Sequence, residues 1–134
     1  PGEVYTAEFG EGLFNMSFDL PAEQFTEGDE FYVNLDLDNT TSAVVDADVY
    51  VLLEAYGVFY GYPAWQEITQ GLTPTAVSIP VAGSDSLTIM PAFTMPAVPT
   101  SGPYYFYSAA FEPGTLDPGT LLGNVDVAGF SLVE

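Results

Sequence analysis

Apolar residues return at every second position over most of this chain, and that period decides what it can fold into. Phe31, Val33, Leu35 and Leu37 alternate with Tyr32, Asn34, Asp36 and Asp38, and Ala47, Val49, Val51, Leu53 and Ala55 alternate with Asp48, Tyr50, Leu52 and Glu54. Phe14, Met16, Phe18 and Leu20 repeat the pattern, as do Leu87, Ile89 and Phe93. Side chains on successive strand residues point to opposite faces, so this alternation marks strands buried on one side. No segment carries a persuasive helical stripe, and 11 Pro and 13 Gly spread through the chain discourage long helices.

Turn-forming groups separate the alternating runs: Glu27-Gly28-Asp29, Asp38-Asn39-Thr40, Ala82-Gly83-Ser84-Asp85, Ser101-Gly102-Pro103 and Asp117-Pro118-Gly119. The pattern predicts strands near 3–9, 13–20, 30–38, 46–56, 58–62, 75–81, 86–94, 103–111 and 124–133. Seven to nine short strands in 134 residues predict an all-β fold, a single immunoglobulin-like β-sandwich occupying 1–134 as one domain. Trp65, just after the fourth strand, is expected to cap one end of the core. Segment 3–20 breaks at Gly10-Glu11-Gly12 and admits two readings. It forms an ordinary first hairpin, or its first piece leaves to complete the sheet of a neighbouring subunit.

The charge balance narrows function by exclusion. The chain has 19 Asp plus Glu and no Lys, Arg, His or Cys, for a net charge of −19. Nucleic acid is excluded as an ordinary partner, because phosphates need cationic side chains, and anionic membrane surfaces repel the chain. Disulfides, thiolate or imidazole metal sites, serine–histidine and cysteine–histidine catalysis and Schiff-base chemistry all lack their parts. Paired carboxylates could in principle serve a glycosidase. Without Arg, His or Lys, however, few groups remain to orient a substrate or stabilise developing charge, so the expectation is a protein that is not an enzyme.

The chain begins Pro1-Gly2 with no initiator Met and no signal-like segment, as expected of a processed product or an excised domain. No apolar run approaches the ~18 residues of a membrane span. A chain without trypsin-type cleavage sites or thiols suits long life outside the cell, so the expected location is extracellular or at the cell surface. Asn15-Met16-Ser17 and Asn39-Thr40-Thr41 are sequons that make Asn15 and Asn39 glycosylation candidates.

Asp36, Asp38, Asn39, Asp46 and Asp48 gather around one predicted turn. If their two strands pair as a hairpin, four carboxylates meet at its open end and repel unless a cation bridges them. Oxygen ligands in that number suit Ca²⁺. The alternative is a solvated acidic end, since no EF-hand spacing is present. Glu112, Asp117 and Asp126 form a second candidate set, and Glu27, Asp29 and Glu30 read as a plain acidic turn.

Aromatic residues crowd two stretches. Tyr50, Tyr56, Phe59, Tyr60, Tyr62 and Trp65 occupy one, and Tyr104, Tyr105, Phe106, Tyr107 and Phe111 the other. Four successive aromatics at 104–107 place rings on both faces of one strand, which predicts either a thick core with tyrosines at its margin or an association surface. Val4, Tyr5, Phe9, Tyr56, Phe59, Tyr60, Tyr62, Trp65, Tyr104 and Phe106 are the interface candidates. Exposed Tyr and Trp also suit stacking on sugar rings.

Asp48-Val49-Tyr50-Val51-Leu52-Leu53, the 56–65 aromatic stretch, Leu87-Thr88-Ile89 through Pro96, and Gly102–Phe111 leading to Gly129-Phe130-Ser131 carry a loose resemblance over residues 30–134. They resemble the immunoglobulin-like sandwich modules of prokaryotic cell-surface and secreted proteins, of the kind that forms extracellular filament subunits. The resemblance implies an extracellular sandwich with no catalytic residue, and the lack of Lys excludes Lys–Asn isopeptide crosslinks. The expected function is a structural subunit of an extracellular filament or surface assembly. It would polymerise with copies of itself by strand addition and aromatic contacts, with calcium reducing the repulsion between copies. The alternative is a carbohydrate-binding or adhesive module of a larger secreted protein, with glycans as partners.

Overall fold

The structure is a computed structural model that describes residues 14–116 and 118–134. The predicted strand at 3–9, the interface candidates Val4, Tyr5 and Phe9, and the metal candidate Asp117 lie outside the described residues. Ten strands are described: β1 (Phe14–Asp19), β2 (Gln24–Phe25), β3 (Glu30–Asn39), β4 (Val45–Ala55), β5 (Val58–Gly61), β6 (Gln66–Glu67), β7 (Thr75–Ile79), β8 (Ser84–Thr94), β9 (Ser101–Phe111) and β10 (Leu121–Leu132). Two single-turn 3₁₀ helices, Ile68–Gln70 and Pro118–Thr120, are the only helical pieces among them. The chain is an all-β sandwich. The small sheet has the order β1-β3-β8, and the large sheet runs β2-β10-β9-β4-β5-β6 with β7 also paired to β4.

The alternation becomes the core directly. Phe31, Val33, Leu35 and Leu37 of β3 face Ala47, Val49 and Val51 of β4 across the sandwich, and all are buried. Phe106 and Ala110 of β9 and Ile79 of β7 complete the inner layer. Phe25 packs edge-on to Phe31 at 4.8 Å between ring centroids, and Phe106 stacks on Phe130 at 5.6 Å. Trp65 lies against Phe106 at 6.1 Å and edge-on to Tyr62 at 5.6 Å, half-buried at the margin of this cluster.

Between β4 and β5 the chain turns on two residues, Tyr56 and Gly57, with φ of 51° and 83°. Positive φ at both central positions is the geometry whose twist matches a two-residue hairpin. Tyr56 holds it by accepting the Gly102 N–H on its hydroxyl at 2.7 Å.

The step from β3 to β4 departs from the expected hairpin. These strands belong to different sheets, and residues 40–44 carry the chain across the sandwich. Both strands must bury their apolar residues in the same core, which they do by facing each other rather than pairing edge to edge. Asn39 is the peg at this crossing. It is fully buried, its side-chain nitrogen lies 2.9–3.0 Å from the carbonyl oxygens of Ala43, Ile79 and Pro80, and its Oδ1 accepts the Thr41 N–H and hydroxyl.

Candidate functional site

The two outer faces of the sandwich differ in chemistry. On the small sheet the outward rows are Asn15–Asp38–Ser84, Ser17–Asp36–Ser86 and Asp19–Asn34–Thr88, all polar and rich in carboxylates. On the large sheet the outward rows are Phe59–Glu54–Tyr105–Gly129 and Gly61–Leu52–Tyr107–Val127, followed by Tyr50–Ala109 and Asp48–Phe111. Rings pair across this second face: Phe59 with Tyr107 at 5.9 Å, Tyr105 with Tyr107 at 6.5 Å, and Tyr50 with Phe111 at 5.8 Å. Val127 is 51% exposed beside them. An open groove of about 670 Å³ continues the surface past Tyr105, Pro103 and Val127 toward Leu20 and Glu23.

Glu54 is the carboxylate set among these rings. Its Oε1 accepts the Tyr107 hydroxyl at 2.6 Å, and that bond, with partial burial and the nearby negative charge, raises Tyr107 above the ordinary phenol range. At the hairpin tip the reverse holds: the Gly102 amide donating to Tyr56 favours the phenolate and lowers its pKa.

The interface candidates separate under this geometry. Phe59 lies on the outer face and Tyr56 at its hairpin end, 68% exposed. Phe106, in contrast, is fully buried, Tyr104 packs on Phe130 at 5.3 Å, and Tyr60 stands opposite Leu53 on the inner register. Tyr62 and Trp65 belong to the core margin. Phe106 as an interface residue is thus corrected: the outward aromatics of β9 are Tyr105, Tyr107 and Phe111. Sequence reasoning placed Tyr50, Tyr105, Tyr107 and Phe111 in its aromatic stretches without choosing them as interface candidates, and it missed Leu52 and Val127, although strict alternation from Val49 contained the signal for β4. In β9 the signal was obscured because the inward positions 108 and 110 hold only Ser and Ala.

Among the described residues the carboxylate sets do not converge. Asp36 and Asp38 lie outward on the small sheet, whereas Asp46 and Asp48 lie outward on the large sheet, on opposite sides of the sandwich. The expected four-carboxylate cluster is therefore corrected by the sheet switch between β3 and β4. Asn39 is no ligand either, since its amide is consumed at the crossing, and its buried nitrogen offers no glycan attachment point in the folded chain. Asn15 stands on the outward face of β1 opposite Asp38. Asp48 Oδ2 accepts the Gly114 N–H at 2.9 Å. Glu112 follows the end of β9, while Asp126 stands opposite Ser108, about 13 Å along the ladder. Asp126 Oδ2 accepts the Phe18 N–H at 2.9 Å. Among the described residues no three carboxylates are grouped to hold a metal ion, so the donor set does not fit an internal Ca²⁺ site.

What Asp126 does instead is seal an edge. With Asn124 it lines β10 against β1, the outer strand of the small sheet. Gly123 makes the approach possible: its φ is +69°, and a Cβ there would collide with the Phe14 carbonyl. No helix among the described residues is long and apolar enough to cross a membrane.

The chain matches no family model and no curated protein. Among solved structures it is similar to the CARDB domain of the PF1109 protein from Pyrococcus furiosus, a structure in complex with di-metal ions, with TM-score 0.54 and 17% identity over 92% of this chain and 91% of that one. It is also similar to Spo0M, a sporulation control protein from Bacillus subtilis, with TM-score 0.51 and 11% identity over 92% of this chain. A third match is the Pseudomonas fluorescens alkylpurine DNA glycosylase AlkC bound to DNA, with TM-score 0.51 and 13% identity over 96% of this chain. The chain spans 50% of the Spo0M structure and 33% of AlkC, so in both it corresponds to one part of a longer protein. At these identities the likeness establishes a shared β-sandwich fold.

Proposed function

We propose that this protein is a non-catalytic structural subunit of an extracellular filament or surface assembly, built from copies of itself. The observation that carries the reading is the division of its outer faces, one aromatic with a single central carboxylate and the other acidic. A partly exposed aromatic face favours association, because burying it removes apolar area from water. An acidic outer face keeps the remaining surface hydrated and selective. The absence of Lys and Arg leaves no group to neutralise phosphates, which separates this chain's role from DNA binding.

Copies carrying −19 each repel one another, and divalent cations such as Ca²⁺ reduce that repulsion by lying between acidic faces of neighbouring subunits. The ions then act between molecules, which suits carboxylates that stay apart within one. Residues 14–19 pair with β3 within the chain, so this part of the N-terminal segment is not the strand that is added to a neighbour.

Light scattering and electron microscopy of the purified protein, with millimolar calcium and then with excess chelator, test the reading. Calcium-dependent large particles are expected. A monomer under both conditions overturns it.

A second reading is a carbohydrate-binding or adhesive module. It is favoured by Glu54, a hydrogen-bond acceptor for sugar hydroxyls framed by Phe59, Tyr105 and Tyr107.

A further inference from the structure

The geometry points to the open groove over β10 as a binding site for a neutral oligosaccharide, with the Tyr105 ring as the platform on which one sugar ring stacks. This rests on the carbohydrate-binding reading, and it moves the site off Glu54 and gives the class of sugar.

The groove exists because β2 covers only the end of β10. β2 pairs with Ser131 and Leu132 alone, whereas β9 follows β10 on its other side from Leu121 to Leu132. Residues 127–131 are left as a floor, flanked by Pro103 and Tyr105 of β9 and by Leu20, Glu23 and Gln24 across from them. The Glu23 carbonyl accepts the Ser131 N–H at 2.9 Å, which ties that second wall to the floor. The space of about 670 Å³ falls in the range of small-molecule sites.

Gly129 sets the platform. It stands opposite Tyr105, and a Cβ there would lie 3.0–3.1 Å from two carbons of that ring. The ring therefore fills the space that a side chain at 129 would take, leaning over the floor, and the residue stays 36% exposed.

The groove's chemistry selects the ligand. Glu23, Gln24 and Ser131 bring a carboxylate, an amide and a hydroxyl, and the chain has no cationic side chain to add. Phosphates and uronic acids meet a net charge of −19 with nothing to neutralise them. Cations are drawn to that charge wherever carboxylates lie, but Glu23 is the one carboxylate lining this groove among the described residues, so charge does not direct a cation here. A neutral pyranose matches both halves of the groove. Its C–H face packs on a tyrosine ring, and its hydroxyls donate to the carboxylate and exchange bonds with the amide and hydroxyl.

A ¹H–¹⁵N NMR titration of the purified chain tests this, using cellohexaose, chitohexaose, maltohexaose and mannohexaose, with hexagalacturonate and spermine as charged controls. Saturable shifts of the Glu23, Gln24, Gly129 and Ser131 amides are expected with at least one neutral hexamer and not with hexagalacturonate. Tyr105→Ala should weaken that binding at least about 10-fold, and Tyr105→Phe, which keeps the ring, should retain most of it. Gly129→Val displaces the ring without removing it and should weaken binding as well. Tyr32→Ala, which removes a half-buried tyrosine from the other sheet, should leave binding unchanged.

Shifts confined to Glu54, Phe59 and Tyr107 overturn the groove site while leaving the carbohydrate reading standing. Wild-type affinity in Tyr105→Ala, or equal binding of hexagalacturonate, also overturns it. Groove shifts with spermine and with no neutral hexamer overturn it and assign the groove to an organic cation. No shift with any of the sugars overturns both the groove site and the carbohydrate reading.

Discussion

The side chain of Asn124 bonds to Met16 as a neighbouring strand would. Its Oδ1 accepts the Met16 N–H at 2.8 Å and its Nδ2 donates to the Met16 carbonyl at 3.0 Å. Two residues on, Asp126 accepts the Phe18 N–H, so among the described residues the outer edge of β1 is met by side chains from β10. Open strand edges invite pairing with other chains, and this edge is protected. Asn124→Ala leaves both Met16 groups to water at a partly buried position and is expected to cost about 1–2 kcal/mol. Amide hydrogen exchange should speed up at Met16 and Phe18 while the β4–β9 ladder stays protected. Uniform exchange across both sheets would refute a local latch.

Asn39 is predicted to be the least replaceable polar residue. Asn39→Asp removes the donor to Ala43, Ile79 and Pro80 and sets a carboxylate against their carbonyl oxygens in a fully buried site. The expected loss is about 3 kcal/mol or more, read as a lower midpoint in denaturant unfolding. A midpoint within error of wild type would mean the crossing does not depend on this peg.

Ser108 predicts a change of opposite sign. Its hydroxyl is buried with no hydrogen-bond partner, on the inner face of β9. Ser108→Ala removes an unsatisfied polar group at little cost in volume and should stabilise the fold by about 1 kcal/mol. A thermal scan showing a lower Tm would place an unseen partner on that hydroxyl.

Two tyrosines should titrate on opposite sides of the ordinary phenol range in a pH titration followed by ¹³Cζ NMR. Tyr107, held up first by its bond to Glu54, ionises after the ordinary phenols, and Tyr56, held down first by the Gly102 amide, ionises before them. The signs for stability are opposite. The favourable contribution of Tyr107 is complete below the ordinary phenol range and is lost as pH rises through its raised value, whereas that of Tyr56 grows as pH rises through its lowered value. Glu54→Gln should bring Tyr107 part of the way back. Co-titration of Tyr56 with Tyr107 would contradict both assignments.

Much of the architecture was legible in the sequence because alternation and burial are the same fact in a two-layer fold. Every strand expected between residues 13 and 133 has its counterpart, and the unforeseen ones, β2 and β6, span two residues each and are too short to carry a period. Sheet membership was not legible. The runs 30–38 and 46–56 look like the arms of a hairpin, and only the need to bury both apolar faces in one core sends them to different sheets. That single topological fact dispersed the acidic cluster. The site residues were half legible for a different reason: inward Ser108 and Ala110 carry weaker apolar signals than outward Tyr105, Tyr107 and Phe111, so the β9 parity read in reverse.

The carboxylates of this chain find main-chain amides where other proteins offer them Lys or Arg: Asp29 takes the Thr26 N–H, Asp48 that of Gly114, Asp126 that of Phe18. An amide oxygen can accept those same bonds, so Asn could stand at each of these three positions with the contact kept. At these three positions the negative charge is thus separable from the contact that the fold uses.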